Sequence, residues 1–296
     1  MTKQGANTLT VSAEGADIVN FEESEGTPEP NAQENTGSEG KFDDSDGNPD
    51  FVLSLARGLK AMEAFEGHLE GLSVADLARL TGFSRAAVRR LLMTLEQLGY
   101  AECTGRLYRL TIRVLKLGFS YLSSTSTPSL AQPILEQVTG IVHESSSLSV
   151  LDEDQIVYIA RSTTKRVLSV GLSVGSRLPL YCTSMGRVLL AALPESELNA
   201  YLDRVEVKAL TPKTITNREL LLQSIRQTGI DGFALVDEEL ELGLRSIAVP
   251  VKTRHDRVVA AMNIGVHAAR VSTAEMIEAF LPVLREKAHE LSQLLG

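Results

Sequence analysis

The twenty residues from Val74 to Met93, VADLARLTGFSRAAVRRLLM, leave a folding chain few choices. Apolar residues recur at helical spacing on both sides of Thr81-Gly82-Phe83. Two helices joined by so short a turn must cross steeply, which requires a small residue at the contact and a backbone that accepts positive φ. Ala78 and Gly82 supply these. Ser73, with Asp76 three residues on, predicts a capped start at Val74 and Leu72 a staple for the entry. Ser84 predicts the cap of the next helix, which runs to about Leu98 before Gly99. Val88, Leu91, Leu92, Leu95 and Leu98 form one stripe of that helix. Leu77, Phe83, Val88 and Leu91 pack the pair onto an earlier helix, Phe51–Glu66, which Gly67 ends. Ala86, Arg89, Arg90 and Met93 face away from the stripe, with Arg85 at its border.

The pattern is that of a helix-turn-helix, whose second helix enters the DNA major groove by its N-terminal half. Ser84, Arg85, Ala86, Arg89 and Arg90 all lie in that half. Arginine pairs bidentately with guanine or phosphate, and an alanine methyl can meet a thymine methyl. Two short strands, Tyr100–Cys103 and Arg106–Leu110, turn at Thr104-Gly105 and complete a wing, with Thr104 and Arg106 at its tip. A helical hairpin with a charged solvent face is the plainer alternative. The Ala–Gly spacing, capping serine, arginine cluster and strand pair argue together against it.

The net charge of −9 looks wrong for a DNA-binding chain until its distribution is read. Residues 1–50 hold Lys3 and Lys41 against twelve acidic residues, more than the whole deficit. Residues 82–113 hold six arginines (Arg85, Arg89, Arg90, Arg106, Arg109, Arg113) against Glu96 and Glu102. A local basic patch is the electrostatic footprint that DNA requires. Residues 1–48, polar and without hydrophobic period, read as an acidic disordered tail. No apolar run approaches the roughly 18 residues of a membrane span, and no signal-peptide pattern opens the chain. With two cysteines, Cys103 and Cys182, neither a disulfide framework nor a cysteine metal site is expected. A cytoplasmic protein without membrane contact follows.

Thr111–Ser123, apolar on one face, predicts a linking helix, and Thr125–Ser129 a break between domains. The expected boundaries are 50–110 for the winged head, 111–126 for the link and 127–296 for a second domain. There a helix near Leu130–His143 precedes strands at Leu148–Leu151, Gln155–Arg161 and Val167–Leu172. Helices follow at Thr183–Leu193, Glu195–Arg204 and Arg218–Thr228, the last capped by Asn217 and ended by Gly229. Strands at Gly232–Asp237, Arg245–Val251 and Val258–Val266 precede a final helix opened by Ser272 and bent near Pro282. Antiparallel strands flanked by helices make an α+β fold.

Several segments together resemble the IclR family of bacterial regulators. They are Ser54–Leu59, the helix-turn-helix, Thr183-Ser184-Met185-Gly186-Arg187-Val188-Leu189-Leu190-Ala191 and Gly243–Val251. The likeness runs from about Asp50 to the C-terminus. Tyr158–Ser162, Leu172–Gly175 and Leu178–Cys182 are similar to regulators of aromatic-acid degradation through the β-ketoadipate pathway, which respond to protocatechuate, 4-hydroxybenzoate or β-ketoadipate. The resemblance implies a GAF-like effector domain and a homodimer or dimer of dimers joined at the linking helix. It also implies a pseudo-palindromic double-stranded operator and a small carboxylic-acid effector. By position, its effector contacts fall on Val236, Ser246, Asn263 and Gly265. The family often has polar side chains at the first and last of these, which sets this chain apart from members with glyoxylate- or pyruvate-type ligands. The helix start at Thr183, Ser184 and Gly186 offers free N–H groups to a carboxylate. Tyr181 and Met185 would form an apolar wall, and Arg161 and Arg245 are candidate cationic partners.

An enzyme is the competing class. Gly171-Leu172-Ser173-Val174-Gly175 matches the G-x-S-x-G of a hydrolase elbow, but that elbow needs a helix at once, and Pro179 follows instead. A strand-end turn is the expected outcome. His143, His255 and His267 have no metal-ligand spacing, and no glycine-rich phosphate loop occurs, so neither metal nor cofactor is expected. A ligand-free architectural DNA-binding protein is a third reading, disfavoured by the size of the second domain.

Overall fold

A computed structural model describes residues 50–124, 126–164 and 172–295. The acidic tail and most of the expected strand Val167–Leu172 lie outside them.

The head is built from α1 (Leu53–Glu63), α2 (Val74–Thr81), α3 (Arg85–Gln97) and a hairpin of β1 (Ala101–Thr104) and β2 (Leu107–Leu110). The local code of α2 and α3 is realised atom for atom. Ser73 Oγ accepts from the Asp76 N–H at 3.2 Å, and an Asp76 carboxylate oxygen accepts from the Ser73 N–H at 3.3 Å, closing a capping box. Gly82 sits at φ 73° in the turn, and Ser84 Oγ accepts from the Ala87 N–H at 3.2 Å. Ala61, Phe65, Leu72, Leu77, Val88 and Leu92 form a small core, with Phe83 and Leu91 packed against it. Leu98 departs from the expected stripe: it follows α3 as its C-cap and is exposed. The hairpin turn falls one residue later than expected, at Gly105-Arg106, because Thr104 pairs with Leu107. Leu72 and Tyr108 exchange backbone hydrogen bonds of 2.9 and 2.8 Å, tying the wing to the entry of α2.

A single 3₁₀ turn, Ile112–Val114, leads into α4 (Leu115–Ser124), and α5 spans Ser126–Val142. The expected helix at Leu130 therefore starts four residues early. Pro128 permits this because it stands in the first turn of α5, where the N–H it lacks would have no helical partner.

The second fold unit is a six-stranded antiparallel sheet in the order β5-β4-β3-β8-β7-β6. Its strands are β3 (Ser145–Asp152), β4 (Gln155–Ser162), β5 (Arg177–Pro179), β6 (Ala234–Asp237), β7 (Leu244–Lys252) and β8 (Val258–His267). β5 was not foreseen, being three residues long with no alternation to read. On one face, Leu148, Ile247, Val249, Met262 and Ile264 bury against α5 and the C-terminal α10 (Leu281–Leu294). On the other, α6 (Ser184–Ala191), α7 (Glu195–Arg204) and α8 (Arg218–Asp231) cover a second apolar cluster. α8 runs past Gly229 and ends at Gly232, φ 70°. Gly229 lies where α8 passes α6; a Cβ there would stand 3.8 Å from Ala191 Cβ, an ordinary contact that fits a packed helix interior. Before α10, a short helix α9 (Thr273–Glu275) capped by Ser272 gives way to a π turn, Met276–Phe280, next to Pro282.

Candidate functional sites: an arginine-bearing helix and a sheet-floored cavity

In the head, Ser84, Arg85, Ala86, Arg89, Arg90 and the wing-tip Thr104 and Arg106 are all exposed. The six arginines divide into two groups. Arg109 Nε donates to the Glu70 carbonyl at 3.1 Å and its Nη2 pairs with the Glu70 carboxylate at 3.3 Å. Arg113 Nη1 donates to the Leu98 carbonyl at 2.7 Å, completing the end of α3. The guanidinium groups of Arg85, Arg89, Arg90 and Arg106 make no hydrogen bond or ion pair among the described residues. Two arginines hold the head together, and four present unneutralised charge to solvent.

The second site follows from the sheet's alternation. On β3, β8 and β7, the residues that point away from the aliphatic face are small or polar, and register sets them side by side. Ser145 pairs with Gly265 and Gly265 with Ser246; Ser147 pairs with Asn263 and Asn263 with Ala248. These rows floor a cavity of about 600 Å³. A volume of this size suits a small-molecule ligand. Its rim and walls come from the start of α6, from Tyr158 and Leu178, and from Leu240–Leu244.

Of the expected effector contacts, Thr183, Ser184, Met185, Val236, Ser246, Asn263 and Gly265 line this cavity, and Tyr181 and Gly186 do not. Tyr181 is buried with its hydroxyl donating to the Lys208 carbonyl at 3.2 Å, so it braces the loop between α7 and α8 instead of forming a wall. Gly186 has a packing task. A Cβ there would meet the Leu180 carbonyl oxygen at 2.2 Å, so only glycine lets α6 seat against the preceding chain. Thr183 caps α6, accepting from the Gly186 N–H at 3.2 Å and donating to the Pro179 carbonyl at 2.8 Å. Ser184 Oγ donates to Ser246 Oγ at 2.8 Å, joining helix start and floor.

The two candidate cations separate clearly. Arg245 is sealed: its Nε pairs with Asp237 at 2.6 Å, and its Nη1 donates to the carbonyls of Ala268, at 3.2 Å, and Val271. Arg161 reaches the cavity with one side-chain hydrogen bond, from Nη1 to Ser147 Oγ at 3.3 Å, and with its Nε buried and unpartnered. No carboxylate among the described residues pairs with it. Burial draws its pKa below the usual guanidinium range, opposed only by the nearby Tyr158. Its guanidinium lies 5.8 Å from the centroid of the Tyr158 ring, whose hydroxyl burial pushes up to about 12. Asn263, 8% exposed, likewise has its Oδ1 buried without a partner. Cys182 also lines the cavity, with a thiol pushed up to about 12, chiefly by burial, which keeps it protonated and unreactive. Arg161 is one of the two candidate cations in the sequence, but nothing there assigns Tyr158 or Cys182 to a site. Only the fold brings them together.

Ser173 does not stand in an elbow. Gly175, φ 91°, closes a turn in which the Ser176 N–H donates to the Ser173 carbonyl at 3.0 Å, and β5 follows where a hydrolase needs a helix.

A winged helix-turn-helix with free arginines and a sheet domain holding a polar-floored cavity define a ligand-responsive DNA-binding transcription regulator. Comparison with known proteins gives the lineage. The bacterial transcriptional regulator IclR C-terminal domain matches residues 119–293, and the IclR helix-turn-helix domain matches residues 54–104. The chain belongs to the IclR family. It is 47% identical over 252 residues to the Pca regulon regulatory protein of Pseudomonas putida, covering 84% of this chain and 87% of that one. A transcriptional regulator from Rhodococcus sp. RHA1 superposes with a TM-score of 0.73 at 46% identity, over 83% of this chain and 98% of that one. The inducer-binding domain of the Acinetobacter PobR transcription factor, a double mutant solved with 3-hydroxybenzoic acid, gives a TM-score of 0.55 at 35% identity, over 57% of this chain and 98% of that domain. Among the described residues, no helix is long and apolar enough to cross a membrane.

Proposed function

We propose that this regulator controls genes of aromatic-acid degradation through the β-ketoadipate pathway, in response to an aromatic or dicarboxylic acid bound on the sheet floor. The observation that carries the reading is Arg161, a partly buried cation with no carboxylate partner among the described residues, lining the same cavity as the Asn263 amide oxygen, which has no partner among them either. A buried charge left unpaired is costly, so an anionic ligand is the natural partner. Asn263 Oδ1 calls for a donor, such as a ligand hydroxyl. Tyr158, Leu178, Met185 and Val236 supply apolar walls. Thr183 and Ser184 at the start of α6 and Ser246 on β7 orient the ligand. The names of the Pseudomonas and Acinetobacter relatives support the same ligand class.

In this reading residues 50–110 bind DNA, 111–126 link, and 127–296 sense. Ser84, Arg85, Ala86, Arg89 and Arg90 read the major groove, while Thr104 and Arg106 touch adjacent backbone. Ile112, Leu115 and Phe119 are 84%, 66% and 68% exposed, and α4 buries none of its residues within the chain. Such an apolar helix suits a homodimer contact, and a symmetric dimer in turn suits a pseudo-palindromic operator. Ligand alters DNA affinity only through its different affinity for the two arrangements of the heads.

A thermal-shift series with protocatechuate, 4-hydroxybenzoate and β-ketoadipate tests the ligand class. At about a hundred times Kd, a true effector adds roughly 2.7 kcal/mol of stability. No shift with any of the three overturns the reading.

A further inference from the structure

The segment between β6 and β7 overhangs the cavity, with Leu240, Glu241, Leu242 and Gly243 facing it. Its stem is gripped by a neighbouring turn. Thr211 Oγ1 donates to the Glu238 carbonyl and Thr214 Oγ1 to the Glu239 carbonyl, both at 2.6 Å. The Lys213 ammonium bridges Asp237, at 3.0 Å, and Glu238. The segment also closes on itself: the Glu238 N–H donates to the Leu244 carbonyl at 2.8 Å, and the Gly243 N–H to Glu238 Oε1 at 2.7 Å.

Beneath this lies a buried ion pair that the ligand contacts do not use. Arg187, 3% exposed, extends from α6, and Glu239, 6% exposed, descends from the overhang. Arg187 Nη2 meets Glu239 Oε2 at 2.5 Å. Arg187 Nε donates to the Tyr181 carbonyl at 3.2 Å, and the Ile215 N–H donates to Glu239 Oε2 at 3.2 Å. One pair therefore fastens α6, the chain entering α6, the gripping turn and the overhang. Stability alone does not account for it, because apolar replacement of a buried pair is often neutral or better. What it fixes is the spacing between the start of α6 and the overhang, both of which line the one cavity.

We infer that Arg187 and Glu239 are a positioning pair that holds the 240–243 overhang at a fixed height above the start of α6, so that the cavity retains its ligand. The inference rests on the reading of this cavity as the effector site. The test uses the full chain with the double substitution Arg187→Met/Glu239→Gln, which removes both charges together and keeps an acceptor for the Ile215 N–H. Arg187→Met alone strands a buried carboxylate and lowers the thermal midpoint; the double substitution brings the midpoint back toward wild type.

Without ligand, hydrogen exchange at the Glu238, Gly243 and Leu244 amides then rises about tenfold or more, while Met262 and Ile264 in β8 exchange as before. If exchange at the three amides returns to wild type with the midpoint, the pair is structural only and the inference is overturned. Should the double variant fail to fold, Glu239→Gln alone, which leaves the Arg187–Tyr181 bond, is read at the same amides by the same criterion. With 4-hydroxybenzoate and protocatechuate as probes, dissociation from the variant quickens about tenfold, in step with the loosened overhang. Unchanged dissociation overturns the retention role. If wild type binds only β-ketoadipate, dissociation is read with that acid; if it binds none of the three, the ligand reading fails and the exchange measurement still decides the pair.

Discussion

Arginines in the head and arginines around the sheet stand in opposite situations. The guanidinium groups of Arg85, Arg89, Arg90 and Arg106 project into solvent without partners among the described residues. In the sheet domain Arg177, Arg187, Arg204, Arg218, Arg226, Arg245 and Arg270 each face a carboxylate. Arg254, Arg257 and Arg285 face no carboxylate among the described residues but are exposed, whereas Arg161 is half-buried in the cavity and faces none either. An exposed arginine costs little to leave alone, since water solvates it until a phosphate lattice displaces counterions. A buried one has no such solvent, and its environment is complete only when something else brings the negative charge. On the proposed reading the head offers its surface to a polyanion, and the sheet domain its cavity to one small anion.

That contrast can be broken most sharply at Arg161. Arg161→Met should cut affinity for the responding acid ten- to hundred-fold, about 1.5–3 kcal/mol for a lost charge-assisted hydrogen bond. Isothermal titration checks this, with apo operator binding as the control. Equal affinity in the variant would place the carboxylate at the start of α6. Next in size, Arg89→Ala or Arg90→Ala should cost roughly 1–3 kcal/mol on operator DNA and less on random DNA, if either pairs with a base. A gel-shift comparison across the two DNAs decides it. Equal losses would assign both to phosphate. Smallest is Arg109→Ala, which removes an exposed pair with Glu70 worth about 0.2–1 kcal/mol. It should lower head stability slightly in thermal melts and leave base discrimination unchanged. A change of base preference would move Arg109 into the group that reads DNA.

The head was legible nearly residue by residue because its signals are local. The Ser73 box, the Gly82 turn and the Ser84 cap each act within four residues, and each is found where the sequence puts it. Leu98 misled because the stripe continues in sequence after the helix has ended. In the sheet domain β3, β4, β6, β7, β8 and the α6 start were readable from alternation and capping, but β5 and the cavity were not. Arg161 and Arg245 are equivalent in sequence, and only the fold puts Asp237 beside one of them. Tyr181 stands next to cavity residues in sequence, yet its hydroxyl turns to Lys208. Gly229 carried the signature of a helix end, yet α8 continues through it to the cap at Gly232.

The alternation along β7 and β8 has a consequence for how such a protein can change. Ile247, Val249, Met262 and Ile264 hold the domain together from one side of the sheet. Ser246, Asn263 and Gly265 meet the cavity from the other, and a Cβ added to Gly265 would touch nothing within 4 Å. Neighbouring positions in the chain therefore answer to separate demands. Substitutions at even spacing can reshape what the cavity accepts without disturbing the packing that carries the fold. A lineage built on this sheet can move between chemically different signals in single steps, each one a viable protein.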